Sequence, residues 1–285
     1  MRLDGENTAI VLDSTADFPH APRRFPNWRV VPLYVRFGAE SFRDYVDLTA
    51  VEFYTRLRDS PEPPATSQPT PADFAAVYQE LAGYERVFSL HVGGTFSGTV
   101  EAARTAADEV GPRQVRVVDT QTVSVAVSML GLALQRRLDR GTSDEEVVEL
   151  LERHRREAKL LFTVDTLDYL ARGGRIGRAG AWAGQLLNVK PILAIESGGV
   201  LPVKRVRGNR LPGVRRCVHL DLGGLARAAR GHRSRGRRGP RRGAQAMVRR
   251  ERPNAELELV TSLGPVVGAH AGPGAVGLFW FQDSY

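Results

Sequence analysis

Hydroxyl-bearing side chains are concentrated in four loops that each follow a strand-like or extended segment. These loops are DSTAD (13–17), TSQPT (66–70), GGTFSGT (93–99) and DTQTVS (119–124). Serine and threonine hydroxyls, together with the backbone N–H groups at a helix N-terminus, can hold an anion without covalent chemistry. GGTFSGT is not a P-loop, because no lysine follows its glycines, and it does not match the GxSxG turn of serine hydrolases. The loops therefore favour anion binding.

Two of these loops supply the main candidates for binding the anion. Thr66 and Ser67 are adjacent hydroxyls just before a helix, and Ser97 lies at the start of the next helix, with Thr95 and Gly98 beside it. The positive end of a helix dipole favours an anion at such a position. An ordinary polar turn is the alternative interpretation of TSQPT.

Asp13 ends the first apolar strand and is followed by Ser14. Such an aspartate can bind a metal, act as a phosphotransfer nucleophile or organise its own loop. Because no second carboxylate stands two residues further on, loop organisation is favoured. Asp13 and Ser14 are supporting candidates for the site.

A glycine-rich segment and a histidine complete the candidate set. RGGRIGR contains Arg172 and Arg175, which either neutralise an anion or form a solvated basic turn. His270 lies in GPVVGAHAGPGA, where the predicted glycine- and proline-rich loop lets backbone approach a ligand closely. Histidine titrates near neutral pH and suits a carboxylate or phosphate, although a structural role is the alternative. No cluster of His, Cys and carboxylates has metal-ligand spacing.

The first half of the chain alternates strands and helices, which predicts a parallel sheet covered by helices. In such sheets ligands bind beyond the carboxyl ends of the strands, where the hydroxyl-rich loops lie. Predicted strands or extended runs are Thr8–Asp13, Arg29–Phe37, Arg86–Val92 and Gln114–Asp119. Helices are predicted to begin near Thr49, Thr70, Ser97, Val123 and Ser143, three of them with capping signals.

From Lys159 the pattern changes to strand, interrupted helix and hairpin, with the hairpin turn at Ser197–Gly199. We therefore predict two domains, residues 1–155 and 156–285. The second would end in a strand, a Gly/Pro loop and a terminal strand.

The composition points to one unusual segment. The 285 residues carry a formal charge of +8. Residues 204–252 hold 17 Lys or Arg against two acidic residues, so this segment carries +15 and the rest −7. The single cysteine, Cys217, excludes an intrachain disulfide, and no apolar run reaches the roughly 18 residues of a membrane span. Because a signal-peptide core is also absent, we expect a cytoplasmic protein.

Nine segments together resemble the DegV family of bacterial fatty-acid-binding proteins. They occur in the family's order and cover nearly all of the chain except about residues 209–244. The segments are IVLDSTADFP, VVPLYVRFG, SFRDYVDLTAVEFYTRL, PATSQPTPADF, HVGGTFSGT, RVVDTQTVS, DTLDYLARGGRIGR, LLNVKPIL and GPVVGAHAGPGAVG. Each is a modest signal alone, but jointly they are very specific.

The resemblance implies an α/β protein with an N-terminal parallel-sheet, three-layer α/β domain, a C-terminal α+β domain and a ligand tunnel between them. It implies that Thr66, with Ser67, and Ser97 hold the carboxylate of a long-chain fatty acid. His270 matches the family histidine, and Arg172 or Arg175 assists.

Family members can present the fatty acid to a separate kinase subunit. The resemblance therefore implies a carrier without catalytic residues or an ATP site, and without a cofactor other than the bound fatty acid. The acid's length and saturation, the kinase partner and the oligomeric state stay open.

The acyl tail would dominate the affinity. Each buried methylene contributes about 0.8 kcal/mol, so a 16-carbon tail gains roughly 10 kcal/mol before costs are subtracted. The apolar stretches Val123–Leu138 and Trp182–Leu187 are candidates for lining it, with ordinary core as the alternative for most of their residues.

The family pattern is lost between about residues 209 and 244, where arginine and glycine dominate without a helical or strand period. Three hypotheses fit this segment: a basic arm that binds nucleic acid or an acidic partner, a disordered insertion, or a stretch translated out of frame from GC-rich DNA. The abrupt loss and recovery of the pattern favours the third. If this peptide is real, we expect the second domain to lack the helix and the strand that the family has here.

Two other functions compete with lipid binding. One is an enzyme, either a phosphotransferase using Asp13 or an acyl hydrolase using Ser97 with His270 as its base. The other is a nucleic-acid binder using the arginine-rich segment, which would show steeply salt-dependent binding.

Overall fold

The computed structural model describes residues 1–111, 114–183, 189–207, 227–230 and 257–283, with 227–230 described by backbone alone. Within these ranges the strands are Thr8–Asp13 (β1), Trp28–Val31 (β2), Tyr34–Phe37 (β3), Glu40–Arg43 (β4), Ala65–Ser67 (β5), Arg86–His91 (β6), Val115–Asp119 (β7), Lys159–Thr163 (β8), Val189–Glu196 (β9), Gly199–Arg207 (β10), Arg227–Arg230 (β11), Val260–Ser262 (β12) and Val276–Trp280 (β13). The α-helices are Ala21–Arg24 (α1), Ala50–Asp59 (α2), Pro71–Glu80 (α3), Thr99–Val110 (α4), Val125–Leu138 (α5), Asp144–Glu157 (α6), Asp168–Arg172 (α7) and Pro265–Ala271 (α8), and two 3₁₀ helices cover Ser14–Ala16 and Gly177–Trp182.

The N-terminal sheet is parallel, in the order β2-β1-β6-β7. Alternate residues of β1 point to opposite faces. Ala9 and Val11 pack with α3 and α4, whereas Ile10 and Leu12 pack with α5. This is the three-layer arrangement that the alternating sequence predicts.

The second sheet has the order β10-β9-β8-β13-β11-β12 and is antiparallel except between β11 and β12. Its buried residues, such as Leu160, Leu193 and Phe279, belong to the same apolar cluster as α5. Helix α5 contacts β1 and β6 of the first sheet and also β13 of the second. The fold class predicted from the sequence is confirmed, and a continuous core joins the two sheets.

A small antiparallel sheet, β4-β3-β5, was not predicted. The sequence suggested one extended run from Arg29 to Phe37, but the chain divides it between two sheets at Pro32 and Leu33. Proline has no N–H to donate to a ladder, which favours a break at that point. Thr66 therefore lies on β5, paired with Val35, and not in a turn.

The helix caps follow the sequence closely. The Thr49–Glu52 and Ser143–Glu146 capping boxes are both present, and Thr70 caps α3 with Pro71 in its first turn. The hairpin turn is also confirmed: Ser197 and Gly198 have φ of 49° and 72°, and β10 begins at Gly199. Two positive φ values match the twist of a tight hairpin.

The predicted Gly/Pro loop around His270 is wrong, because this segment forms helix α8. Pro265 fits the first turn, and Gly272, with φ of 74°, ends the helix. Gly268 lies inside it, where a Cβ would come within 2.6 Å of the Tyr54 hydroxyl. The glycine reflects close packing and not a loop.

The arginine-rich segment is described only at 227–230, and the rest of 209–244 lies outside the described residues, as does Cys217. Residues 227–230 form β11, which pairs with β13 and β12. The expectation that this region supplies no strand is therefore wrong at these four positions. Among the described residues, none of the helices combines the length and hydropathy required of a membrane span.

Candidate functional site

A cavity of about 390 Å³ lies where the carboxyl edge of the parallel sheet meets α8 and the six-stranded sheet. Most of its wall is apolar, including Val92, Phe96, Phe162, Ile195 and Val276. This volume is within the range of small-molecule sites. Its position agrees with the rule that ligands of open α/β sheets bind beyond the strand ends.

Thr66 and His270, separated by 204 residues, meet at this cavity. The Oγ1 of Thr66 and the Nε2 of His270 are 2.9 Å apart. The small sheet makes this contact possible, because β3 holds β5 on one side and packs with α2 and α8 through Val35, Phe53 and Val266. Two residues that the sequence suggested separately as candidates for the site are thus brought into direct contact.

His270 is held in the neutral form. Burial, together with the charge of Arg175, lowers the pKa of the imidazole to about 4. Its Nδ1 atom is buried without a hydrogen-bond partner among the described residues. A neutral imidazole has one N–H donor and one acceptor nitrogen.

Ser97 reaches the same cavity from the start of α4. Its Oγ lies 2.8 Å from the Oγ1 of Thr99 and accepts from the Thr99 N–H at 3.3 Å. Beside it, Gly98 lies under the side chain of Gln68, whose Oε1 would be 2.2 Å from an added Cβ. Gln68 therefore joins the Ser97 segment to the segment of Thr66 and Ser67, and all four of these polar side chains line the cavity.

Only one of the two candidate arginines lines the cavity. Arg175 donates from Nε to the carbonyl of Phe96 at 2.9 Å and from Nη1 to the carbonyl of Gly173 at 2.6 Å. These bonds hold the guanidinium against the backbone of Phe96 and Gly173. Arg172 is exposed at the end of α7 and does not line the cavity. Of the two arginines, Arg175 is therefore the one placed at the cavity.

Thr15 and Ser124 also line the cavity and were missed by the sequence interpretation, although both lie in loops recognised as hydroxyl-rich. Their hydroxyls already donate to buried carboxylates, Thr15 to Asp13 and Ser124 to Asp17. They form part of the wall behind the polar cluster.

Asp13 and Ser14 lie beneath the cavity and do not line it. Asp13 is fully buried and accepts from the N–H groups of Thr15 and Val92, each at 2.9 Å. Ser14 donates to Asp44 at 2.7 Å. In the structure, Asp13 organises its own loop through these bonds and has no exposed surface.

A second possible catalytic arrangement is also closed to substrates. His91 lies 3.2 Å from Asp13 and 2.6 Å from Ser89, which resembles the order of a hydrolase triad. All three side chains have no exposed surface. Ser97, the serine that reaches the cavity, bonds Thr99, whereas His270 bonds Thr66.

A buried carboxylate, Asp17, joins the two halves of the chain. It accepts from the Gly264 N–H at 2.7 Å and from the Tyr45 hydroxyl at 2.9 Å, as well as from Ser124. Burial raises the pKa of Asp17 to about 7, against the opposing effect of these hydrogen bonds. This junction could not be predicted from local sequence, because Gly264 is 247 residues away from Asp17.

Thr95 and the apolar stretches have more limited roles. Thr95 donates to the carbonyl of Gly198 in the β9–β10 turn, and so connects the GGTFSGT loop to the hairpin. Val123 and Val125 line the cavity, whereas most of α5 is core. Trp182 instead packs under the guanidinium of Arg205, and residues 184–187 lie outside the described residues. Among the described residues, no group of three or more His, Cys, Asp or Glu could hold a metal.

These features define an α/β protein with a mostly apolar cavity and a cluster of hydrogen-bonding groups at the sheet edge. The model of the DegV family, a family of uncharacterised proteins, matches residues 7–283, and the chain belongs to this family.

Individual relatives are similar to this chain over nearly its whole length. A DegV domain-containing protein of Deinococcus radiodurans is 40% identical over 282 residues, which cover 95% of this chain and 96% of the relative. A fatty-acid-binding DegV family protein of Thermus thermophilus has a similar structure, with 38% identity, a TM-score of 0.86 and coverage of 96% and 98% of the two chains. DegV of Bacillus subtilis, described as a fatty acid binding protein, has 30% identity and a TM-score of 0.82, with coverage of 97% and 99%.

Proposed function

We propose that this protein binds a long-chain fatty acid, with the carboxylate at Thr66, Ser67 and Ser97 and the tail in the apolar cavity. The observation that carries the proposal is a polar cluster, built from three distant segments, at the edge of a mostly apolar cavity. The Thermus and Bacillus relatives, described as fatty-acid-binding proteins, support the same ligand class.

The neutral state of His270 determines how the carboxylate is held. In the tautomer that carries the ring proton on Nε2, His270 donates to the Thr66 oxygen, and the Thr66 hydroxyl hydrogen is then free to point at the ligand. The Ser97 hydroxyl donates in the same way while it accepts from the Thr99 N–H. A buried carboxylate needs such donors to replace its lost hydration.

Arg175 places a positive charge near the carboxylate and need not form a direct ion pair with it. Its Nε and Nη1 are engaged by backbone carbonyls, so it acts at the cavity from a fixed position. A positive charge near the carboxylate favours the ionised form of the ligand. The tail supplies most of the affinity, and the polar cluster sets the direction in which the ligand enters.

The family resemblance supports a carrier role, in which a separate kinase phosphorylates the bound carboxylate. This chain's part is then to bind the acid and present it, with no cofactor of its own. The enzymatic alternatives have less support, because Asp13 is buried and because the hydroxyl contacted by His270 belongs to Thr66 and not to Ser97.

The direct test is mass spectrometry of an organic extract of purified protein, followed by titration of the delipidated protein with fatty acids. We expect a co-purified C14–C18 acid. Thr66→Val and Ser97→Ala should each weaken binding by about 5- to 150-fold, since each lost hydrogen bond to a buried group costs about 1–3 kcal/mol.

Two controls make the titration specific. Thr66→Ser keeps the hydroxyl and should retain most of the affinity. Thr105→Val removes an exposed hydroxyl that bonds only the Glu101 carbonyl within α4, and it should bind as the parent does. Absence of any bound acid, together with no uptake of added acid, would remove the proposal.

A further inference from the structure

A second, smaller cavity of about 140 Å³ adjoins the apolar one. Its wall is mainly polar and charged, with Thr120, Gln121, Arg155, Lys159 and Glu196 among its residues. The Nη2 of Arg155 donates to the carbonyl of Asp119 at 2.8 Å, which holds the arginine at this cavity. An apolar chain that entered this space would displace water from charged groups.

Two side chains separate the cavities. Of the described residues, only Leu160 and Ile195 line both. They are direct cross-strand partners in the antiparallel ladder of β8 and β9, so they project from the same face of the sheet. Both are buried, with 7% and 8% of their surface exposed.

The order of residues across the sheet shows on which side of Leu160 and Ile195 each cavity lies. In the row of Leu160 and Ile195, the neighbour on β13 is Phe279, which lines only the polar cavity. Two residues along the strands, the next row contains Phe162 and Gly277, which line only the apolar cavity. Successive rows on one face are about 6.7 Å apart, so the lining changes from apolar to polar within one such step.

We propose that Leu160 and Ile195 form the end wall of the acyl site and set the longest fatty acid that it accepts. This inference rests on the proposed function. Affinity should rise about fourfold with each added methylene until the tail reaches this wall. Further methylenes must fold back or enter the polar cavity, so the rise stops there.

The test measures the affinity of delipidated protein for saturated acids from C12 to C22. In Ile195→Ala, the loss of about three methylene-sized groups should move the chain-length optimum to longer acids by about two carbons. Val267→Ala is the matched control, because Val267 lines the apolar cavity but not the polar one. It should weaken all acids without moving the optimum.

A second variant tests the wall from the opposite side and does not depend on a cavity being tolerated. A Cβ at Gly277 would meet only ordinary contacts, 3.7 Å from the Phe162 Cβ and 3.8 Å from the Leu160 Cδ1. The Cβ itself is therefore accommodated, and Gly277→Val should fill the last part of the apolar cavity and move the optimum to shorter acids.

The outcomes distinguish failure of the end-wall proposal from failure of the proposed fatty acid binding. A parent protein with a clear optimum that neither Ile195→Ala nor Gly277→Val moves would overturn the end wall and leave fatty acid binding intact. A parent protein that binds no acid of any length would overturn both.

Discussion

The Nδ1 atom of His270 lies against the α-carbon of Gly173, so that any side chain there would begin 2.2 Å from the imidazole. Gly173 has ordinary helical dihedral angles, with φ of −75° and ψ of −6°. These dihedral angles would therefore accept alanine, and the main obstacle to a Cβ is His270, with a lesser one at the Tyr169 carbonyl oxygen, 3.2 Å away. Gly173, one of the glycines of RGGRIGR, therefore leaves the space that His270 occupies.

Gly173→Ala should displace His270 and weaken fatty acid binding while leaving the fold intact. Loss of the His270–Thr66 hydrogen bond corresponds to a fall in affinity of about 5- to 150-fold. Titration with a fluorescent fatty acid would measure it, and ¹⁵N NMR of the imidazole would report the changed environment. Gly180→Ala is a suitable control, because its Cβ would meet only the Ile176 side chain at 3.7 Å. Equal affinities for the two variants would contradict the supporting role.

Asp17→Asn should change how the free energy of unfolding depends on pH. Because the folded-state pKa of Asp17 is raised from 3.8 to about 7, the native protein holds a proton that the unfolded chain has lost. This contribution is fully present below pH 3.8 and is lost as the pH rises through about 7. Between pH 5 and pH 8 the parent protein should lose about 2–3 kcal/mol relative to the asparagine variant.

Urea unfolding of both proteins at several pH values would measure this difference. Asparagine keeps an oxygen for the Gly264 N–H and the Tyr45 hydroxyl, and its NH₂ group can donate to Ser124. The comparison therefore isolates the proton from the hydrogen bonds. A difference in stability that stays constant from pH 5 to pH 8 would show that Asp17 titrates normally.

Gly268→Ala should destabilise the protein although alanine favours a helix. The gain in helix propensity is about 1 kcal/mol. An added Cβ would, however, lie 2.6 Å from the Tyr54 hydroxyl and 2.8 Å from Phe53, and overpacking of this kind costs about 1–3 kcal/mol. A fall in melting temperature, partly restored by adding Tyr54→Phe, is the expected result. An increase in melting temperature would show that α8 can move away from α2.

The sequence allowed the parallel sheet, the capped helices and the participants of the polar cluster to be predicted, because each has a local signature. Thr66, Ser97 and His270 were found through hydroxyl-rich segments, a glycine-rich segment and a family resemblance. Their actual contacts were not predictable. The pairing of His270 with Thr66 depends on β5, a strand of only three residues, which has too little sequence for an alternating pattern.

Contacts between residues remote in sequence account for the other differences between the sequence predictions and the structure. The helix around His270 looks like a loop because its internal glycine, Gly268, reflects close packing against Tyr54 and not a turn. Likewise, the burial of Asp17 depends on Gly264 and Tyr45, which are remote in sequence. No local rule distinguishes it from Asp13, four residues earlier.

The proposed carboxylate site takes its three main groups from β5, the start of α4 and α8. A fragment of the chain that ends before β8 would contain two of them without the third. Occupation of the cavity should therefore act as a thermodynamic link between the halves: ligand would raise the unfolding midpoint of the whole chain, as judged by probes in either sheet. The bound acid would then serve as a structural component of the protein as well as its cargo.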